Sequence, residues 1–264
     1  ATAMSERFEQ KVAPLFEQQN GRAPTDGSEV HRAMKDDLCF KFYSSIRYNA
    51  QEMVWRSVIP VVERNLNILA THSRELIDDT GTIGGSLKLD HTLQIPRNVK
   101  TVDVHLAPGS YHTEYIEDDV AAGAIYDNGL NIFAANMMGS NLDDIGESMS
   151  NFIKLQYPSF NPQSILDCGC TVGHNSVAWA KTYPEATTHA IDVCAPILRY
   201  GAARAQSQRV AVNFAQMNAT ALEFEDASMD VVFTSMFLHE LPPKDIRAFM
   251  AEAFRVLKSG GLLL

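Results

Sequence analysis

The chain has little cysteine, no long apolar run and a deficit of positive charge, and each shortage excludes something. Only four cysteines occur in 264 residues, Cys39, Cys168, Cys170 and Cys194, and none forms a C-x-x-C pair. Disulfide scaffolds and zinc ribbons need denser, regular spacing, so reduced and mostly buried thiols are expected, as in a cytoplasmic protein. No apolar stretch approaches the ~18 to 20 residues of a membrane span, and no basic-then-apolar signal pattern opens the chain. Lysine and arginine total 22 against 32 acidic residues, a formal net charge of −10. That balance argues against nucleic acid as a main partner, because such affinity comes largely from cations on phosphates. Neither G-x-G-x-x-G nor a P-loop lysine pattern is present, so phosphate binding has no support.

What is there falls into two textures. From Met4 to about Tyr157 the pattern is largely helical. Phe8, Val12, Leu15 and Phe16 form one apolar stripe, and Met53, Val54, Val58, Val61, Val62, Leu66 and Leu69 form another, with Pro60 as a kink or helix start. Residues 80–85 read as a loop, residues 99–106 alternate like a short exposed strand, and a helix is expected over 141–156. From Asn161 onward short apolar runs at 164–168, 188–193, 210–214 and 230–235 alternate with helices at 174–183, 195–208 and 243–257. That alternation predicts right-handed βαβ units, an α/β doubly wound parallel sheet. The expected organisation is a mainly helical domain over 1–150 and a ligand-binding α/β domain over 151–264.

Such sheets bind ligands at the carboxyl ends of their strands. The turn Asp167-Cys168-Gly169-Cys170-Thr171-Val172-Gly173 ends the first run, and Asp192 ends the second. Glycines let a backbone approach a ligand closely, and an acidic residue at the second strand's end can accept both hydroxyl hydrogens of a ribose. Together they indicate an adenosine-type nucleoside.

The stretch Ile165 to Gly173 resembles motif I of class I S-adenosylmethionine-dependent methyltransferases. Ile191-Asp192-Val193 resembles their ribose position and residues 216–224 their adenine loop. Residues 230–235 resemble the fourth strand, and residues 254–261 the turn before the fifth. The likeness covers roughly residues 161 to 264, nearest the ubiquinone/menaquinone-biosynthesis-like group of small-molecule methyltransferases. It implies a Rossmann-like fold, S-adenosyl-L-methionine as cofactor and a small-molecule methyl acceptor, with no nucleic acid or membrane partner and a possible homodimer. The implied cofactor-binding residues are Asp167, Gly169, Cys170, Gly173, Asp192, Val193, Asn218, Ala219 and Ser235. The sequence departs from the pattern at Thr171, where a glycine is usual, and at Asn218, often aspartate, whose amide oxygen is expected to accept from the adenine amino group.

His239, just past the fourth strand, is the candidate general base, because an imidazole suits proton removal near neutral pH. His239-Glu240 is not a zinc-protease motif, since position 243 is Pro243, and no metal site is expected. Tyr111, His112, Glu114 and Tyr115 form a polar-aromatic cluster, with Tyr111 and Tyr115 as a lid over the sulfonium. His174 reads as a helix-terminus residue. Residues 262–264 begin a strand beside the fourth, and further strands are expected beyond Leu264. An inert cofactor-binding scaffold and a nicotinamide-dependent oxidoreductase are the alternatives, the second disfavoured by the missing pyrophosphate fingerprint.

Overall fold

A computed structural model describes residues 2–135 and 137–264, which divide into two compact units, 1–53 and 54–264. The first unit is helical: α1 (Thr2–Arg7), a π turn (Phe8–Val12), α2 (Ala13–Asn20), α3 (Gly27–Asp36) and the start of α4 (Leu38–Arg64). Asp26 caps α3 by accepting from the Glu29 amide at 2.9 Å, and Arg7 clamps Asp37 through two guanidinium nitrogens at 3.1 and 2.8 Å. Of the expected first stripe only Val12 is buried, and Leu15 is 53% exposed.

The second unit continues with α5 (Leu66–Asp78), β1 (Ser86–Lys88), α6 (Arg97–Lys100), α7 (Ala121–Ala134) and α8 (Asp144–Gln156). There follow β2 (Ser164–Cys168), α9 (His174–Thr182), β3 (Thr187–Asp192), α10 (Ala195–Ser207) and β4 (Asn213–Gln216). β5 (Met229–Phe233), α11 (Pro243–Val256) and β6 (Leu257–Leu263) complete it. The strands form one sheet in the order β1-β4-β3-β2-β5-β6, and every pairing is parallel. The chain runs outward from β2 through β3 to β4, then crosses back to β5 on the other side. The switch point therefore lies beside β2.

Alternation along the strands divides the core. Ile165, Val231 and Phe233 pack with Trp179 of α9 and Ile153 of α8, while Leu166, Ile191 and Val232 pack with Phe249, Ala253 and Val256 of α11. Both faces of β2 are thus covered, as its unbroken apolar run requires. Val58 and Val62 of α4 pack with Ala121 and Ala124 of α7, so the second expected stripe contributes core.

The structure differs from expectation in four places. The boundary expected near residue 150 is not where the compact units divide, because α5, α7, α8 and β1 pack directly on the sheet and its helices. Residues 99–106 form no strand: His105 and Leu106 take left-handed φ of 51° and 61°, which breaks the extended run, and the His105 carbonyl accepts from the Trp55 indole at 2.9 Å. The third run begins later, at Asn213, because Arg209 turns the chain with φ 58°. β1 was not expected; it joins the sheet edge beside β4 after the paired turn glycines Gly84 and Gly85. The strand expected at 262–264 does pair with β5, through Val231–Leu262 and Val232–Leu263.

Trp179 is fully buried and stacks on Tyr183 while meeting Phe233 at 5.4 Å. Trp179→Ala should cost about 3 to 5 kcal/mol, from lost transfer energy plus the cavity left behind, measured by urea denaturation.

Candidate functional site

The carboxyl ends of β2, β3 and β4 converge because the turns between them are tied together. The Gly169 and Cys170 amides both donate to the Ile191 carbonyl, at 2.9 and 3.0 Å, and the Met217 amide donates to the Asp192 carbonyl at 2.9 Å. The Gln216 side-chain amide donates to the Val193 carbonyl at 2.9 Å. These contacts leave a cleft lined by Gly169, Asp192, Val193, Asn218 and Ala219 together with Asn98, Phe237 and Glu240.

Asp192 is the charged centre of this cleft. Its Oδ2 accepts from the Thr171 amide at 3.2 Å and its Oδ1 from the Cys194 amide at 3.0 Å. Burial pushes its carboxyl above the ordinary range, opposed by those amide donors. The Val193 amide and the Cys194 thiol also bond to this carboxylate, which faces the cleft, where ribose hydroxyls can reach its oxygens. Thr171 reaches Asp192 from a left-handed φ of 49°, a conformation costly for a β-branched residue. The residues present therefore fit the ribose of a nucleoside cofactor.

Most of the other implied contacts stand outside the cleft lining. Asp167 is buried and accepts from the Ser176 hydroxyl at 2.6 Å, so its carboxyl fastens β2 to α9. Cys170 lies in the core with Val177 and Leu198, where burial raises its thiol pKa. Gly173 caps α9 at φ 73°, and a Cβ there would stand 2.7 Å from the Phe214 ring, so the glycine makes room for core packing. A Cβ at Gly169 would stand 2.3 Å from the Phe237 ring, so that glycine accommodates a side chain that itself walls the cleft. Ser235 sits in the loop after β5, away from the lining.

The Asn218 amide oxygen accepts from both the Thr220 amide, at 3.0 Å, and the Thr220 hydroxyl, at 2.9 Å. Its two lone pairs are thereby taken, so the expected acceptance from an adenine amino group does not hold for this oxygen. The residue shapes its loop instead.

Tyr111 and Tyr115 line a second cleft with Trp55, Tyr126 and Ala122. Tyr111 meets Tyr126 edge-on at 5.5 Å and packs with Val172 and Cys194, while Tyr115 is 61% exposed. Glu114 forms an ion pair with Arg199 of α10, which fixes the segment ahead of α7. His174 is buried, with Nε2 at 2.6 Å from Asp127 Oδ1, and Asp127 Oδ2 accepts from the Tyr200 hydroxyl at 2.8 Å. Burial lowers the His174 pKa against the pull of Asp127, and the trio clamps α7 to α9 and α10.

His239 is half exposed and sits beside Glu240, which lines the cleft. Glu240, Asn98 and Phe237 were absent from the expected site. Glu240 was signalled only as the neighbour of His239, and Asn98 comes from a segment without any motif.

Residues 165–261 match the family model described as a methyltransferase domain. The chain is 32% identical over 144 residues to malonyl-[acyl-carrier protein] O-methyltransferase of Hahella chejuensis, covering 54% of this chain and 46% of that protein. It is 37% identical over 82 residues to the ubiquinone/menaquinone biosynthesis C-methyltransferase UbiE of Rhizobium etli, covering 30% and 31%. The chain thus spans less than half the length of these curated relatives. A phosphoethanolamine N-methyltransferase of Haemonchus contortus, solved with phosphomonomethylethanolamine and S-adenosylhomocysteine, superposes with TM-score 0.42 at 26% identity, covering 50% of this chain and 31% of that one. No helix among the described residues is long and apolar enough to cross a membrane.

Burial pushes the Asp167 pKa up to about 7. The unfolded value is near 3.9, so between the two the native state holds a proton that the unfolded chain has released. Stability from this group is full below about pH 4 and falls as pH rises to about 7, by roughly 4 kcal/mol. Asp167→Asn should flatten that decline, read as urea midpoints at pH 5 and pH 8.

Proposed function

We propose that the chain transfers a methyl group from S-adenosylmethionine to a small-molecule acceptor at the cleft beside β2. The observation that carries this reading is Asp192, a carboxylate held by backbone amides at the end of β3 and facing the cleft. Asp192 would hold the ribose hydroxyls, Val193 and Ala219 would flank the adenine, and the turn at Gly169 would bound the methionine side. The bound cofactor supplies an electrophilic methyl on sulfur; the chain's task is to align a nucleophile with it and exclude water.

His239 is the proposed base. It lies within a short loop of the end of β5, with Nε2 at 2.9 Å from Glu240 Oε1, so a cleft-lining carboxylate orients the imidazole. The relatives' names include an oxygen and a carbon acceptor, and a hydroxyl, carboxyl or enol acceptor gives up its proton or carries negative charge in such chemistry.

Asp192→Ala should weaken S-adenosylhomocysteine binding at least about tenfold by calorimetry, the loss of charge-assisted bonds worth about 1.5 to 3 kcal/mol. Equal affinity in parent and variant would remove the ribose assignment, and tight NAD binding would replace the reading by a nicotinamide one. With an acceptor found by a methyl-transfer screen, His239→Ala should lower kcat roughly a hundredfold while S-adenosylhomocysteine affinity stays within twofold.

A further inference from the structure

Three side chains from two distant segments of the second unit meet at one edge of the cleft. His105 Nε2 lies 2.6 Å from Glu240 Oε1, His239 Nε2 lies 2.9 Å from the same oxygen, and the two imidazole nitrogens are 3.4 Å apart. His105 is 134 residues from His239 in sequence, so no local motif joins them. The backbone on each side is anchored. The Trp55 indole donates to the His105 carbonyl at 2.9 Å, and the Asn98 side chain donates to the Glu240 carbonyl at 2.9 Å. His105 itself is held at a left-handed φ of 51°, a costly conformation that points the imidazole at Glu240. Among the described residues this group brings its three ligand atoms within 4.8 Å of one another.

We propose that His105, His239 and Glu240 bind a divalent transition-metal ion of the zinc class. Two imidazole nitrogens bonded at about 2.0 to 2.1 Å to a tetrahedral ion stand about 3.3 Å apart, close to the spacing already present. The Glu240 oxygen, hydrogen-bonded to both rings, needs to retreat by only about half an ångström to reach a ligand position. Two imidazoles and one carboxylate favour zinc, cobalt or nickel over magnesium or calcium, which prefer all-oxygen shells. Three protein ligands leave a fourth position open, the mark of a catalytic rather than a structural ion. Because Glu240 lines the cleft, the ion stands at its rim. With the ion bound, His239 is a ligand and no longer a base, and the open position would activate the oxygen or sulfur of an acceptor in its place; this assignment of purpose, unlike the metal site itself, rests on the methyl-transfer reading.

The competing account is a carboxylate that simply collects two imidazole N–H donors, and metal titration separates the two. Chelator-stripped protein without an affinity tag, carrying Cys39→Ser to remove its exposed thiol, is titrated with cobalt chloride and with zinc chloride. The proposal expects one cobalt ion per chain, with the intense visible absorption of a tetrahedral site, displaced by one zinc ion. Zinc affinity should fall about a hundredfold or more in His105→Ala and in His239→Ala, and about tenfold or more in Glu240→Gln. All three side chains reach solvent, so circular dichroism of the metal-free variants should match the parent. If a variant melts early, the zinc-induced rise in the parent's Tm is the second readout, and its persistence in the His105→Ala/His239→Ala double variant overturns the site. Absence of stoichiometric binding in the parent overturns it outright. S-adenosylhomocysteine calorimetry on the same samples keeps the readings apart. Zinc binding without nucleoside binding removes the methyl-transfer reading alone, and the reverse removes the metal alone.

Discussion

The amides of Gly169 and Cys170 share the Ile191 carbonyl, and that contact holds the turn after β2 against the end of β3. A parallel strand pair supplies no hairpin to do this, so the two carboxyl ends must be joined by such cross-links. With the turn pinned, the Thr171 amide reaches Asp192, and the Asp192 carbonyl in turn receives the Met217 amide of the next loop. The cleft wall is therefore a chain of backbone hydrogen bonds, anchored below by β2, whose Ile165 and Leu166 are fully buried on opposite faces. The cost of the arrangement appears at Thr171, held at a left-handed φ.

Two carboxyls lie near the end of this strand pair and their environments divide their tasks. Asp167, inside the protein, is pushed up to about 7 and bonded to Ser176, so it serves packing between strand and helix. Asp192 is also raised by burial, but amide donors on both oxygens favour its charged form, and it faces the cleft. Position within a few ångströms decides which of two similar residues can meet a ligand.

The rim of the cleft is assembled by contacts of long sequence separation. The segment ahead of α7 brings Asn98 and His105 to Glu240, while Glu114 fastens that same segment to Arg199. Glu240 is subject to burial, which pushes its carboxyl up, yet His105 and His239 outweigh that and hold it below the ordinary value. The residues that wall the site thus come from both the motif-bearing and the motif-free parts of the second unit.

The sequence by itself determined the parallel α/β architecture, because apolar runs of strand length alternating with helical periods admit little else, and it placed Gly169, Asp192, Val193, Asn218 and Ala219 on one cleft. Those residues follow strand ends, and strand ends are legible from local pattern. It misjudged residues 99–106, whose alternation mimics a strand, since the left-handed His105 is set by a contact with Trp55, 50 residues away. It could not see that the Asn218 oxygen is spent on Thr220, or that Phe237 and Phe214 occupy the space the turn glycines leave. Nor could it join His105 to His239 and Glu240. Local periodicity fixes elements, whereas the partners of a side chain separated by a hundred residues are chosen only when the sheet closes and its loops are packed.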